Sequence, residues 1–155
     1  MIKNISQLLT RSQKTIHILN ESGFEFFPTG SRYMGGMQKD SDYDFFADYN
    51  PAIEDWLLSL GFEHDRTAYF EDDLSTMVYR IEPDFDNNGD VIPGFEGFDI
   101  QLVKNVGTKQ MIQNILMSRY SSQEGYNGLP GSKSERSELW NLVHHTLTSL
   151  GLVQP

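Results

Sequence analysis

Apolar residues fall in short groups whose spacing changes along the chain. Between residues 5 and 20 they stand at Ile5, Leu8, Leu9, Ile16 and Leu19, which is one face of a helix, and Gly23 offers a stop. Phe24-Glu25-Phe26-Phe27 reads as a short aromatic strand running into Pro28-Thr29-Gly30-Ser31, and 43–49 as a second strand. Asn50-Pro51 opens the next helix, with Asn as cap and Pro at the first position. Ile53, Trp56, Leu57 and Leu60 form its face, and Gly61 ends it. Residues 76–82 and 97–103 alternate as paired strands around a polar loop with an Asn-Gly turn signal. Thr108 is placed to cap a short helix bearing Met111, Ile112, Ile115 and Leu116. A Ser- and Gly-rich loop over 121–133 follows. Ser132 and Glu135 then suit a capping box for a last helix that carries Leu139, Leu142, Val143, Leu147 and Leu150 and ends at Gly151. Helix, strand, turn, strand, helix, strand pair, helix, helix predicts an α/β or α+β mixed sheet covered by helices mainly on one face.

The 155 residues suit a single domain over 1–155, large enough to bury about 70% of the unfolded surface. No run approaches the roughly 20 apolar residues of a membrane span, and the N-terminus lacks a basic-then-apolar leader pattern. The expectation is a soluble cytoplasmic protein with no membrane partner. The absence of cysteine excludes disulfides and thiolate metal sites. Net charge is −10, which disfavours non-specific nucleic-acid binding, since that rests on many Lys and Arg contacts to phosphate. Acidic residues concentrate between Asp40 and Asp99, and clustered carboxylates suit divalent cations.

The segment from Gly30 to Phe46 carries the chemistry. Strand residues i and i+2 share a face, so Asp42 and Asp44 project together, away from Tyr43 and Phe45. Two carboxylates so close are unfavourable unless one is protonated or a cation sits between them. A hard ion such as Mg²⁺ is held by one or two carboxylates and substrate phosphates. Gly30-Ser31 follows a strand and opens a helical turn, where backbone N–H groups attract phosphate and glycine permits close approach. Asp99 and Gln101 share one face of a strand whose other face is Phe98, Ile100 and Leu102, so Asp99 either faces the metal pair or is salt-bridged, with Arg80 on the paired strand as the candidate partner. Arg32 and Lys39 suit phosphate contact or plain solvation equally, and Lys104, just past the Asp99 strand, is positioned to steer a triphosphate. Asp40 and Asp48 read as solvated, Tyr33 and Tyr126 as packing residues, and His144-His145 as structural, since the two cannot face one way.

Gly30-Ser31, ten intervening residues, Asp42-Tyr43-Asp44-Phe45 and the later Phe98-Asp99-Ile100 together resemble the signature of the DNA polymerase beta nucleotidyltransferase superfamily, in its minimal form, over about half the chain. The resemblance implies the polymerase beta-like nucleotidyltransferase fold. It also implies two Mg²⁺ or Mn²⁺ ions on Asp42, Asp44 and Asp99, with Asp99 positioning or deprotonating the attacking hydroxyl, and Gly30, Ser31, Arg32 and Lys104 at the nucleotide. The expected reaction moves an NMP from an NTP, ATP among them, to a hydroxyl of a protein, an RNA end or a small molecule. The alternative is a non-catalytic nucleotide- or partner-binding regulatory module, antitoxin-like in manner.

A second motif competes. Asp84, Asp86, Asn88 and Asp90 with Gly89 follow the first nine positions of an EF-hand calcium loop, but position twelve is Phe95 and the flanks read as strands. An acidic hairpin loop is the expected reading.

Overall fold

The computed structural model describes residues 8–34, 40–69, 75–121 and 133–152. Thr10 caps the first helix, α1 (Arg11–Asn20), through a reciprocal box: its hydroxyl accepts the Gln13 amide at 3.1 Å, and Gln13 Oε1 accepts the Thr10 amide at 2.9 Å. The helix therefore starts later than the apolar spacing suggests, with Leu8 exposed and Ile5 outside the described residues. The first strand, β1 (Phe27–Thr29), is also displaced toward the C-terminus, because Phe24 and Phe26 turn their rings onto Trp56, at 5.5 and 6.0 Å between centroids. A single turn, α2 (Gly30–Met34), leads toward β2 (Tyr43–Asp48).

Asn50 caps α3 (Pro51–Ser59): its Oδ1 accepts the Ile53 amide at 2.8 Å from an extended backbone, and Pro51 occupies the first turn. Asn50→Ala should cost about 1 kcal/mol in urea unfolding, and Asn50→Gly only a few tenths. Equal losses for the two would mean the side-chain cap contributes nothing.

A strand the apolar pattern does not signal, β3 (Glu63–Tyr69), forms by antiparallel pairing with β4 (Ser75–Ile81), which pairs in turn with β5 (Phe98–Val103). Among the described residues five strands run in the order β1-β2-β5-β4-β3, with β2 and β5 parallel and the other neighbours antiparallel. Parallel neighbours need a crossover, which α3 and the β3–β4 hairpin supply.

Alternation along the strands sorts the two faces. Tyr43, Phe45, Ala47, Tyr79, Phe98, Ile100 and Leu102 meet Leu19 of α1 and Ile53 and Leu57 of α3. On the opposite face, Phe46 and Val103 pack with Val106 of α4 (Val106–Ser121), and α5 (Lys133–Ser149) packs on α4 through Ile112, Leu116, Trp140, Val143 and Leu147. The expected one-sided cover is thus corrected to helices on both faces. Each face of this sheet carries apolar side chains that must leave water, and α4 covers the second. The cap of α4 is Asn105, whose Oδ1 accepts the Thr108 amide, and Thr108 itself is buried inside the helix. Leu142 of α5 and Leu150 just past its end are exposed, as is His145, whereas His144 is buried. Of the expected 121–133 loop, Ser121 ends α4 and Lys133 opens α5; the residues between them, Ser132 included, lie outside the described residues, as do Lys39 and Tyr126. No helix among the described residues is long and apolar enough to cross a membrane.

Candidate functional site

Strand register assembles the candidate site. Thr29 pairs with Asp44, Asp44 with Asp99, and Asp99 with Arg80, so one cross-strand row carries an acid on each of the parallel strands and a guanidinium beside them. Directly opposed residues share a face, and neighbouring strands are about 4.8 Å apart. Asp42, two residues before Asp44, points the same way, as the period of two requires. Its Oδ2 accepts Arg80 Nη1 at 3.0 Å, and the same nitrogen donates to Asp99 Oδ1 at 2.8 Å. The structure therefore brings Asp42, Asp44 and Asp99 together, and it pairs Asp99 with Arg80.

Two glycines let the backbone crowd these acids. Gly30 begins α2 at φ +71, and a Cβ there would stand 2.7 Å from Asp44 Cγ and 2.8 Å from its Cβ, with the carboxylate oxygen nearer still. Gly97, just ahead of β5, leaves room in the same way for Asp42 Oδ1, 2.6 Å from its absent Cβ. Ser31 follows Gly30 in α2, so the Gly-Ser turn is seated against the second acid.

The basic residues divide differently from expectation. Arg32 spends its Nε and Nη2 donors on the carbonyl of Ser41, at 3.0 and 2.8 Å, and lays its guanidinium 3.9 Å over the Tyr43 ring. It ties α2 to the residue before Asp42. Lys104 is exposed at the far end of β5 from Asp99, about 16 Å away at the usual strand rise. There it borders a cleft of about 490 Å³ with Phe24, Phe27, Asp48 and Asn50. The structure does not bring it to the acids.

Among the described residues, a lysine on the acid face is Lys109 of α4, which sequence reasoning missed. It is 7% exposed, donates from Nζ to Gln101 Oε1 at 2.6 Å, and lies over the rings of Phe46 and Trp140 at 5.4 and 5.0 Å. Burial pushes its pKa down to about 8, and the charge of Asp44 partly opposes that fall. A sequence signal exists: Val106, Lys109, Ile112 and Leu116 share the buried stripe of α4, and a cation on such a stripe needs a partner. Gln113 continues the polar row, accepting the Thr29 hydroxyl at 2.6 Å and donating to the Pro28 carbonyl.

Arg80 is about a quarter exposed, as is Asp42, and Asp99 less so. Burial pulls the guanidinium pKa down, but the hydrogen bond to Glu82 and the charges of Asp99 and Asp42 more than offset this and hold it above the ordinary arginine value. The donor set fits a hard divalent ion, since all three acids offer oxygens and two stand opposed on adjacent strands. Among the described residues no three acids or imidazoles close into a ready metal cage, and a guanidinium stands between Asp42 and Asp99.

In the 84–90 loop two of the ligand candidates, Asp84 and Asp86, are already engaged. Asp86 Oδ1 accepts the amides of Asn88 and Asp90, and Asp84 is paired with Arg11 at 3.0 Å. Strands β4 and β5 flank it, as expected of an acidic hairpin loop. Asp40 and Asp48 are exposed, and Tyr33 is 43% exposed.

No protein-family model matches this chain, and no curated protein or solved structure does either.

Proposed function

We propose that the chain is a metal-dependent nucleotidyltransferase that moves a nucleoside monophosphate from an NTP to an acceptor hydroxyl and releases pyrophosphate. The observation that carries this reading is the seating of the Gly30-Ser31 turn on Asp44, itself opposed in register by Asp99. A turn that offers backbone N–H groups and a hydroxyl beside converging acids suits a triphosphate with its cations. Asp42, Asp44 and Asp99 would hold two Mg²⁺ or Mn²⁺ ions, which when bound neutralise charge developing on the entering and leaving oxygens. Gly30 and Ser31 bind phosphate oxygens. Asp99 orients the acceptor hydroxyl and receives its proton. Lys109 adds positive charge behind Asp44, while Gln101 and Gln113 hold this polar layer in place. The polymerase beta-like architecture belongs to the same proposal, as does a protein, RNA-end or small-molecule acceptor.

The bridge from Arg80 to Asp42 and Asp99 favours a second reading, a non-catalytic nucleotide- or partner-binding module, because a guanidinium already compensates two of the acids.

Thermal unfolding with each NTP, with and without Mg²⁺ or Mn²⁺, separates the two. Transfer requires a metal-dependent stabilisation of about 2.7 kcal/mol at a hundredfold excess over Kd. The shift should vanish in Asp42→Ala, which leaves Arg80 paired with Asp99 and Glu82. Stabilisation indifferent to metal supports the binding module, and no shift with any NTP removes the nucleotide site.

A further inference from the structure

Arg80 does more than satisfy two acids. Its Nη1 is shared between Asp42 Oδ2 and Asp99 Oδ1, so the two oxygens lie within about 6 Å of each other on either side of one nitrogen. An ion coordinated by both carboxylates would occupy the space that nitrogen fills. A guanidinium and a divalent ion repel, and two oxygens cannot serve both at bonding distance. The side chain also has a way out. It is partly exposed, and its Nε donates at 2.8 Å to Glu82, a carboxylate 71% exposed at the end of β4. Glu82 can keep the guanidinium charge paired at the rim once Nη1 leaves the acids.

Resting on the nucleotidyltransferase reading, we propose that Arg80 is a built-in counter-cation that competes with the divalent ion for Asp42 and Asp99. Without metal it holds the two acids convergent and suppresses their mutual repulsion. Metal entry requires its release toward Glu82, so the ion's affinity is lowered by the fraction of molecules in which Arg80 is seated. Arg80 is a positioning residue in this scheme, acting through the acids.

The test is Mn²⁺ alone, titrated into the metal-free 155-residue chain, with free ion followed by electron paramagnetic resonance. Arg80→Met can neither pair with the acids nor bind the ion. It should bind Mn²⁺ about tenfold or more tightly than wild type, the factor expected when a charge-assisted hydrogen bond no longer has to be broken. Equal or weaker binding by the variant overturns the proposal. If Arg80→Met is unfolded without metal, saturating Mn²⁺ must restore its circular dichroism spectrum, since a ligand of the native state pulls folding forward; failure to do so also overturns it. The two ideas fail separately. Equal binding that is lost in Asp42→Ala leaves the metal site standing and removes only the competition. Binding by neither protein removes the metal site and the competition together.

Discussion

Gly30→Ala should destabilise the protein by about 2–5 kcal/mol, with roughly 1–2 from forcing a Cβ into left-handed backbone and 1–3 from overpacking. Gly30 stands at φ +71, and the new Cβ would meet Asp44 Cβ at 2.8 Å. The carboxylate could rotate aside, but Asp44 Cβ is fixed by the β2 backbone, which is paired with β1 and β5. Either the turn or the strand must therefore move. A domain of this size loses about 2–4 °C per kcal/mol, so the midpoint should fall by roughly 10 °C. Combining Gly30→Ala with Asp44→Gly should recover the contact part and leave the backbone part. A midpoint within a degree or two of wild type for Gly30→Ala alone would show that the turn is not seated on Asp44.

The second large effect is a pH dependence centred on Lys109. Its pKa is pushed down to about 8 in the folded protein, against an ordinary lysine value of 10.5. Below pH 8 the amine is charged in both states, and the cost of burying that charge is fully present. Between about pH 8 and 10.5 the folded protein has released a proton that the unfolded chain still holds, so stability rises with pH. The full gain is about 3 kcal/mol at 1.36 kcal/mol per unit. Tyr79 works the other way above pH 10. Burial and the hydrogen bond to Glu54 raise its phenol pKa, so the unfolded chain loses that proton first and stability falls. The diagnostic window is therefore pH 8 to 10. Urea unfolding should show a rising limb there for wild type, and Lys109→Met should be flat by comparison. A limb of equal slope in the variant would mean that Lys109 does not carry a buried charge.

These predictions rest on residues the sequence revealed to different degrees. Asp42, Asp44 and Asp99 were legible because strand alternation is local: it places Asp42 with Asp44 and sets Asp99 opposite Phe98 and Ile100 whatever the rest of the chain does. Arg80 was legible as a partner for Asp99 because the two strands flank one hairpin. That the same nitrogen also reaches Asp42 was not, since it depends on β2 lying on the other side of β5. Lys104 and Lys109 show the limit from the other direction. Lys104 is nearer to Asp99 in sequence, but the strand carries it away, while the helix that follows turns back over the sheet and returns Lys109 to Gln101 and Phe46.

By itself, the sequence determined the strand and helix periodicities, the Asn50 cap, the shared face of Asp42 and Asp44, and a crowding of like charge that protonation or a cation must relieve. Each follows from backbone geometry within a few residues or from the cost of crowding like charges. Tertiary structure alone decided the pairing of β3, the covering of both sheet faces, the seating of Gly30 on Asp44 and the choice of Arg80 and Lys109 as the cations at the acids. Those depend on which strands become neighbours and on which side the final helices pack, and burial of apolar surface across the whole chain sets both.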